Sequence, residues 1–108
     1  MSPRHRGAGR CYVLCYAEST RGHLKALTAR DRVAVLDAID ERLAFEPTQE
    51  TRNRKRMDEN SLDAGFELRV GDLRVYYDVD ERARVVNVLA IGIKDRTRVM
   101  IGGEEVVL

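Results

Sequence analysis

The chain has 108 residues, 44% of them hydrophobic, which suits one globular domain with a modest core and excludes a disordered chain. Nineteen basic residues against 18 acidic ones leave a net charge of +1, so there is no global field of the kind that marks a general nucleic-acid binder. Any anion site must therefore come from local clustering of the 34% of residues that are charged.

Residues 1–10, MSPRHRGAGR, are polar and without period, and they read as a flexible amino-terminal arm ahead of a single domain over 11–108. CYVLCYA then reads as a strand near 11–17. Cys11 and Cys15 fall on the same side of it, roughly 13 Å apart and beyond disulfide reach, and they are expected to be small buried hydrophobes in a reducing compartment. The run is too short to span a membrane and does not read as a secretory signal, so the expected address is cytoplasmic. Ser19 or Thr20 can cap a short helix carrying Leu24 and Leu27. Thr28 and Asp31 resemble a capping box that opens a longer helix, with Val35, Ile39 and Leu43 at helical spacing, Val33 and Leu36 reinforcing them, and Pro47 as the stop.

Residues 47–63 have no apolar period and read as a loop of unusual length, a kind that is functional or mobile. Within it TRNRKR places Arg52, Arg54, Lys55 and Arg56 in one short stretch, as a solvated basic loop or as a contact for phosphates or an acidic partner. FELRVGDLRVYYDVDE follows. Val70-Gly71-Asp72-Leu73 is a two-residue type II′ turn between alternating strands, so Arg69 should face Arg74, with Leu68 opposite Val75, Glu67 opposite Tyr76 and Phe66 opposite Tyr77. One face is then apolar, and the other carries Glu67, Arg69, Arg74 and Tyr76. Like charges directly opposite cost up to ~1 kcal/mol. Either this is a solvated sheet face whose arginines splay apart or pair with Glu67 and Asp78, or two forked donors side by side make an anion site. RVVNVLAIGIKD, apolar on both faces, reads as a central strand, and TRVMIGGEEVVL as two short β-prone pieces around Gly102-Gly103. The order is that of an α+β domain: an N-terminal strand and a helical hairpin packed on a mainly antiparallel sheet of about four to five strands.

The helical hairpin followed by LRVGDLRVYY and VVNVLAIGIKDR resembles the RelE/ParE superfamily of toxins from bacterial toxin–antitoxin systems, in its RelE-like branch, over about Cys11 to Ile101. The resemblance implies a RelE-like fold and a ribosome-dependent endoribonuclease that cuts messenger RNA without metal or cofactor and is held inactive by an antitoxin. It also admits a ParE-like inhibitor of DNA gyrase, or an inactive antitoxin-binding module. Whether the chain also pairs with itself stays open. Arg69 and Arg74 stand where such toxins carry cations and would clamp the phosphate, while Lys94, Arg96 and Arg98 form the basic stretch after the long strand. Glu67 stands in place of a lysine, and Ile101 near the place of a terminal tyrosine. Glu67 as base, Tyr76 through its hydroxyl or by stacking, and Lys94 are the substitutes; Arg52, Arg54, Lys55, Arg56, Arg96 and Arg98 are the candidate RNA contacts. His5 lies in the arm and His23 in the first helix, and neither is given a chemical role.

Overall fold

The computed structural model describes residues 11–108, in the order β1 (Val13–Tyr16), α1 (Thr20–Lys25), α2 (Ala29–Leu43), β2 (Arg54–Arg56), β3 (Phe66–Val70), β4 (Leu73–Asp80), β5 (Val85–Asp95), β6 (Arg98–Ile101) and β7 (Glu104–Val106). The arm at 1–10 lies outside the described residues. Gly71 has φ +60° and Asp72 does not have a positive φ, the pattern of a type II′ turn, and β3 and β4 pair in the expected register with Arg69 against Arg74. The fold class is as expected, with a larger sheet: seven strands, six of them in the order β2-β3-β4-β5-β6-β7, and β1 pairing with β5 in parallel.

The hairpin's apolar face forms the main core. Leu68, Val75 and Tyr77 pack with Val86, Val88 and Ile91 of β5 under Val35, Ala38, Ile39 and Leu43 of α2, each large side chain stabilising the fold by about 1.5–3 kcal/mol. The Thr28 hydroxyl accepts a hydrogen bond from the Asp31 amide at 3.1 Å and fixes the start of α2. Tyr77 stacks on Phe66 with ring centroids 5.4 Å apart, and its hydroxyl donates to the Pro47 carbonyl at 2.6 Å. Burial raises the Tyr77 phenol above its ordinary range. Tyr77→Phe should therefore lower stability in urea by about 1–3 kcal/mol, because a buried carbonyl loses its donor; an unchanged midpoint would show that water replaces it.

β4 and β5 pair along their length with one irregularity, where Tyr76 faces Ala90 and Tyr77 faces Val88, leaving Leu89 as the extra residue of a bulge. The far edge of β5 is shared. β1 takes Val85 to Val88 and β6 takes Gly92 to Asp95. In the gap between them the Ile91 amide donates to His23 Nδ1 at 3.3 Å, so His23 completes the strand edge from α1. The ring can accept only when Nδ1 is unprotonated, and burial lowers its pKa from the ordinary 6.5. The unfolded chain then binds more protons than the folded one just below 6.5. The contribution of His23 is present above that pH and is lost as pH falls through the folded pKa. Thermal unfolding at pH 7.5 and 5.5 should show a drop that shrinks in His23→Gln; equal drops would remove His23 as the cause.

Several expectations are corrected. Cys11 and Cys15 are free thiols and exposed, because Tyr12 and Leu14 are the residues of this segment that turn to the core. Val33 is 60% exposed and lies off the buried stripe of α2. Ser19 makes no side-chain cap; the Thr20 hydroxyl is buried and donates to Ala17 O at 2.6 Å. α2 stops at Leu43, before Pro47. The basic loop contains a strand, β2, and beyond it an ordered cover. The Asn60 side chain accepts from the Leu62 and Ala64 amides and donates to the Asp58 and Ala64 carbonyls, which folds the chain back over the sheet.

Candidate functional site: the arginine face

The sheet face turned away from the helices is set by strand pairing. Lys55 of β2 stands opposite Glu67 of β3, and Glu67 opposite Tyr76 and Tyr76 opposite Ala90 continue the same row. The next row runs Arg69, Arg74, Gly92, Ile101. Lys94 lies two residues beyond Gly92, so its side chain leaves the same face. Six of the candidate residues, Lys55, Glu67, Tyr76, Arg69, Arg74 and Lys94, thus share one face.

Glu67 stands between the arginines. Its Oε1 accepts from Arg69 Nε at 2.7 Å, and its Oε2 lies 4.0 Å from Arg74 Nε. The Glu67 side chain is only 12% exposed, so this carboxylate offsets the repulsion that the register imposes on the two guanidinium groups. Arg74 is buried and curls back, its Nη1 donating to Gly71 O at 2.8 Å and Leu73 O at 3.0 Å, which also ties the hairpin turn. Arg69 remains about half exposed at its side chain. Its backbone is bracketed by Asn53, whose carbonyl takes the Arg69 amide and whose side chain donates to Arg69 O.

Tyr76 faces this side, as the register requires, and its ring belongs to the core. It is fully buried with Ala64, Ala90 and Ile101, under Met57 and Leu62 of the Asn60 turn. Its hydroxyl has no hydrogen-bond partner among the described residues. Burial first, and the Glu67 carboxylate second, raise its pKa well above the ordinary value, with Arg74 and Arg69 opposing.

The TRNRKR cluster does not act as one patch. Arg54 turns to the helix side, where its Nη1 donates to Arg42 O at 2.8 Å and its Nε to Gln49 O, satisfying the carboxyl end of α2. Arg56 lies over the Phe66 ring at 4.8 Å and 4.0 Å from Glu50. Only Lys55 joins the arginine face, and Arg52 is exposed in the turn before β2. Arg98 is paired with Asp95 and lies on the opposite face from Lys94, with Asp95 at 3.4 Å and Glu105 at 3.9 Å. Arg96 is exposed in the β5–β6 turn at φ +62°. Gly92 and Asn53 carried no sequence signal for this site; the closest was the lone glycine within an otherwise branched apolar strand. Among the described residues no three His, Cys, Asp or Glu side chains are grouped to hold a metal, and no helix is long and apolar enough to cross a membrane.

An α+β domain with a strand-helix-helix opening, a long antiparallel hairpin and cations on its outer face has the architecture of the RelE-like fold. The same fold is found in a chain of the RelBE2 toxin–antitoxin complex of Mycobacterium tuberculosis, with a TM-score of 0.69 and 24% identity over 80% of this chain and 94% of that one. A chain of the archaeal RelE–RelB complex of Pyrococcus horikoshii OT3 gives a TM-score of 0.65 and 21% identity over 81% and 99%. No family model matches the sequence, and no curated protein matches it.

Proposed function

We propose that this protein is the toxin of a bacterial toxin–antitoxin pair, a cytoplasmic, ribosome-dependent endoribonuclease that cuts messenger RNA and so inhibits translation. The observation that carries the reading is the convergence of Arg69, Arg74 and Lys94 on one sheet face, in a fold shared with chains of two RelE–RelB complexes. In the proposed reaction a ribose 2′-oxygen attacks the adjacent phosphorus to give a 2′,3′-cyclic phosphate, and the 5′-oxygen of the next nucleotide leaves as its hydroxyl, taking a proton from water. Negative charge builds on the five-coordinate phosphorus, and fixed guanidinium donors can stabilise it without metal. Arg69 and Arg74 form the clamp, Lys94 supplies a third cation, and Glu67 is the group placed to take the 2′-hydroxyl proton. Lys55 would hold a neighbouring phosphate, with the exposed turn residues Arg52 and Arg96 at the rim.

A second reading has its own support. Arg74 spends its Nη1 on two carbonyls, Glu67 is already paired and the Tyr76 hydroxyl is covered, which counts for a protein with no chemistry of its own, either a contact inhibitor of DNA gyrase or an inactive antitoxin-binding module. In either case the partner is an antitoxin, as in the two complexes, and the exposed Val13, Tyr16 and Val33 together with the outer edges of β2 and β7 are surfaces it can cover. Induced expression in bacteria, with primer-extension mapping on translated and untranslated copies of one message, tests this. Cuts confined to the translated copy are expected. Growth arrest with intact messages favours the gyrase reading, and harmless expression leaves an inactive antitoxin-binding module.

A further inference from the structure

We propose that Glu67 is an internal occupant of the clamp: its carboxylate holds Arg69 and Arg74 closed until an incoming phosphate displaces it onto the Tyr76 hydroxyl. The inference rests on the phosphate-site reading of this face and adds its regulation. The occupant is in place, with Arg69 Nε donating to one carboxylate oxygen at 2.7 Å and Arg74 Nε 4.0 Å from the other. These are the donors that a phosphate oxygen would need, and a carboxylate presents them with a similar pair of acceptors. The second position is prepared as well. Tyr76 is directly opposite Glu67 in the strand pair, so their side chains are neighbours on one face, and its buried hydroxyl, with no partner within hydrogen-bond distance among the described residues, already lies close enough to the carboxylate for Glu67 to raise its pKa, which makes the move a short one. A buried hydroxyl left unpaired costs the closed state stability, which the swung carboxylate would recover by accepting from it.

Charge gives the exchange a direction. Glu67 carries one negative charge, and so does a phosphodiester in its ground state, so the swap gains little until the phosphate carries a second. Five-coordinate phosphorus and inorganic phosphate near neutral pH both carry more than one. The clamp should therefore open for a dianion in preference to an ordinary backbone linkage, which makes Glu67 a gate against idle binding of RNA.

Titration of the full chain with inorganic phosphate, followed by NMR at the arginine Nε–H groups, tests this. Glu67→Gln should bind roughly three- to tenfold tighter than wild type, the range expected for removing a competing partly buried ion pair. Glu81→Gln, an exposed site in the β4–β5 turn with the same change in net charge, should bind as wild type does. Tyr76→Phe should bind more weakly than wild type while unfolding at an equal or higher temperature, since it removes the landing position and an unpaired hydroxyl together. Equal affinity in wild type and Glu67→Gln overturns the gate, and Tyr76→Phe binding that matches wild type overturns the landing position. Absence of saturable binding in both wild type and Glu67→Gln overturns the phosphate site itself. Phosphate binding that tightens in Glu67→Gln, together with a wild-type chain that cuts no message, keeps the gate and removes the nuclease.

Discussion

Alanine at both Arg69 and Arg74 should abolish cleavage of translated message, with a loss of at least about a hundredfold in rate, the scale seen when one fixed donor to a developing oxyanion is removed. The two residues are not equivalent. Arg69 is half exposed, but its Nε is the hydrogen-bond donor to the 12%-exposed Glu67 carboxylate, so Arg69→Ala alone should lower both the rate and, through the carboxylate left behind, the stability. Arg74 is buried and its Nη1 holds the Gly71 and Leu73 carbonyls, so its removal also loosens the turn and leaves Glu67 with fewer partners. Urea unfolding of each variant separates the two effects, and Arg74→Lys restores charge without the fork. Growth arrest that survives the double substitution, with inhibited supercoiling by purified gyrase, would transfer the function to the binder.

Gly92→Ala should be the most damaging single methyl group in the sheet. A Cβ at this position would run into the Met100 carbonyl oxygen and come within 2.7 Å of Ile101 Cγ1, and the first of these is backbone that cannot rotate away. The expected loss is about 3 kcal/mol, the upper part of the range for overpacking a tight site. The damage should be local in its pattern. β6 must part from β5, and Ile101 then lifts from Tyr76, so hydrogen exchange should speed up in β6 and β7 while the α2 core keeps its protection. Wild-type protection of β6 in the variant would show that the strand shifts to make room at small cost.

What the letters disclosed follows the range over which each signal acts. The hairpin register was legible because Gly71 selects one turn and the alternation of Phe66, Leu68 and Val70 with Glu67 and Arg69 admits one pairing. β2 was not, since Arg54, Lys55 and Arg56 have no apolar alternation and become a strand only by lying along the edge of β3. CYVLCY is apolar on both faces, so nothing local says whether the cysteines or Tyr12 and Leu14 turn inward; the helices decide. The pairing of Arg69 and Arg74 through Glu67 was readable as an alternative, because all three are close in sequence. The burial of Tyr76 was not. It depends on Ala64, Ala90 and Ile101 arriving from three other segments, and on the Asn60 turn that folds one of them down.

The divided edge of β5 also governs when this protein can exist. Among the described residues β1 has no strand partner other than β5, and the two lie far apart in the sequence. The β3–β4 hairpin closes through a two-residue loop, whereas β1 and β5 must meet across most of the described chain. Until then α1 has no strand edge for His23 to complete. A chain folding from local contacts outward thus draws its arginine pair together on the hairpin before a closed core backs it. Folding then has an interval, set by topology, in which the paired arginines are present and the sheet that backs them is incomplete.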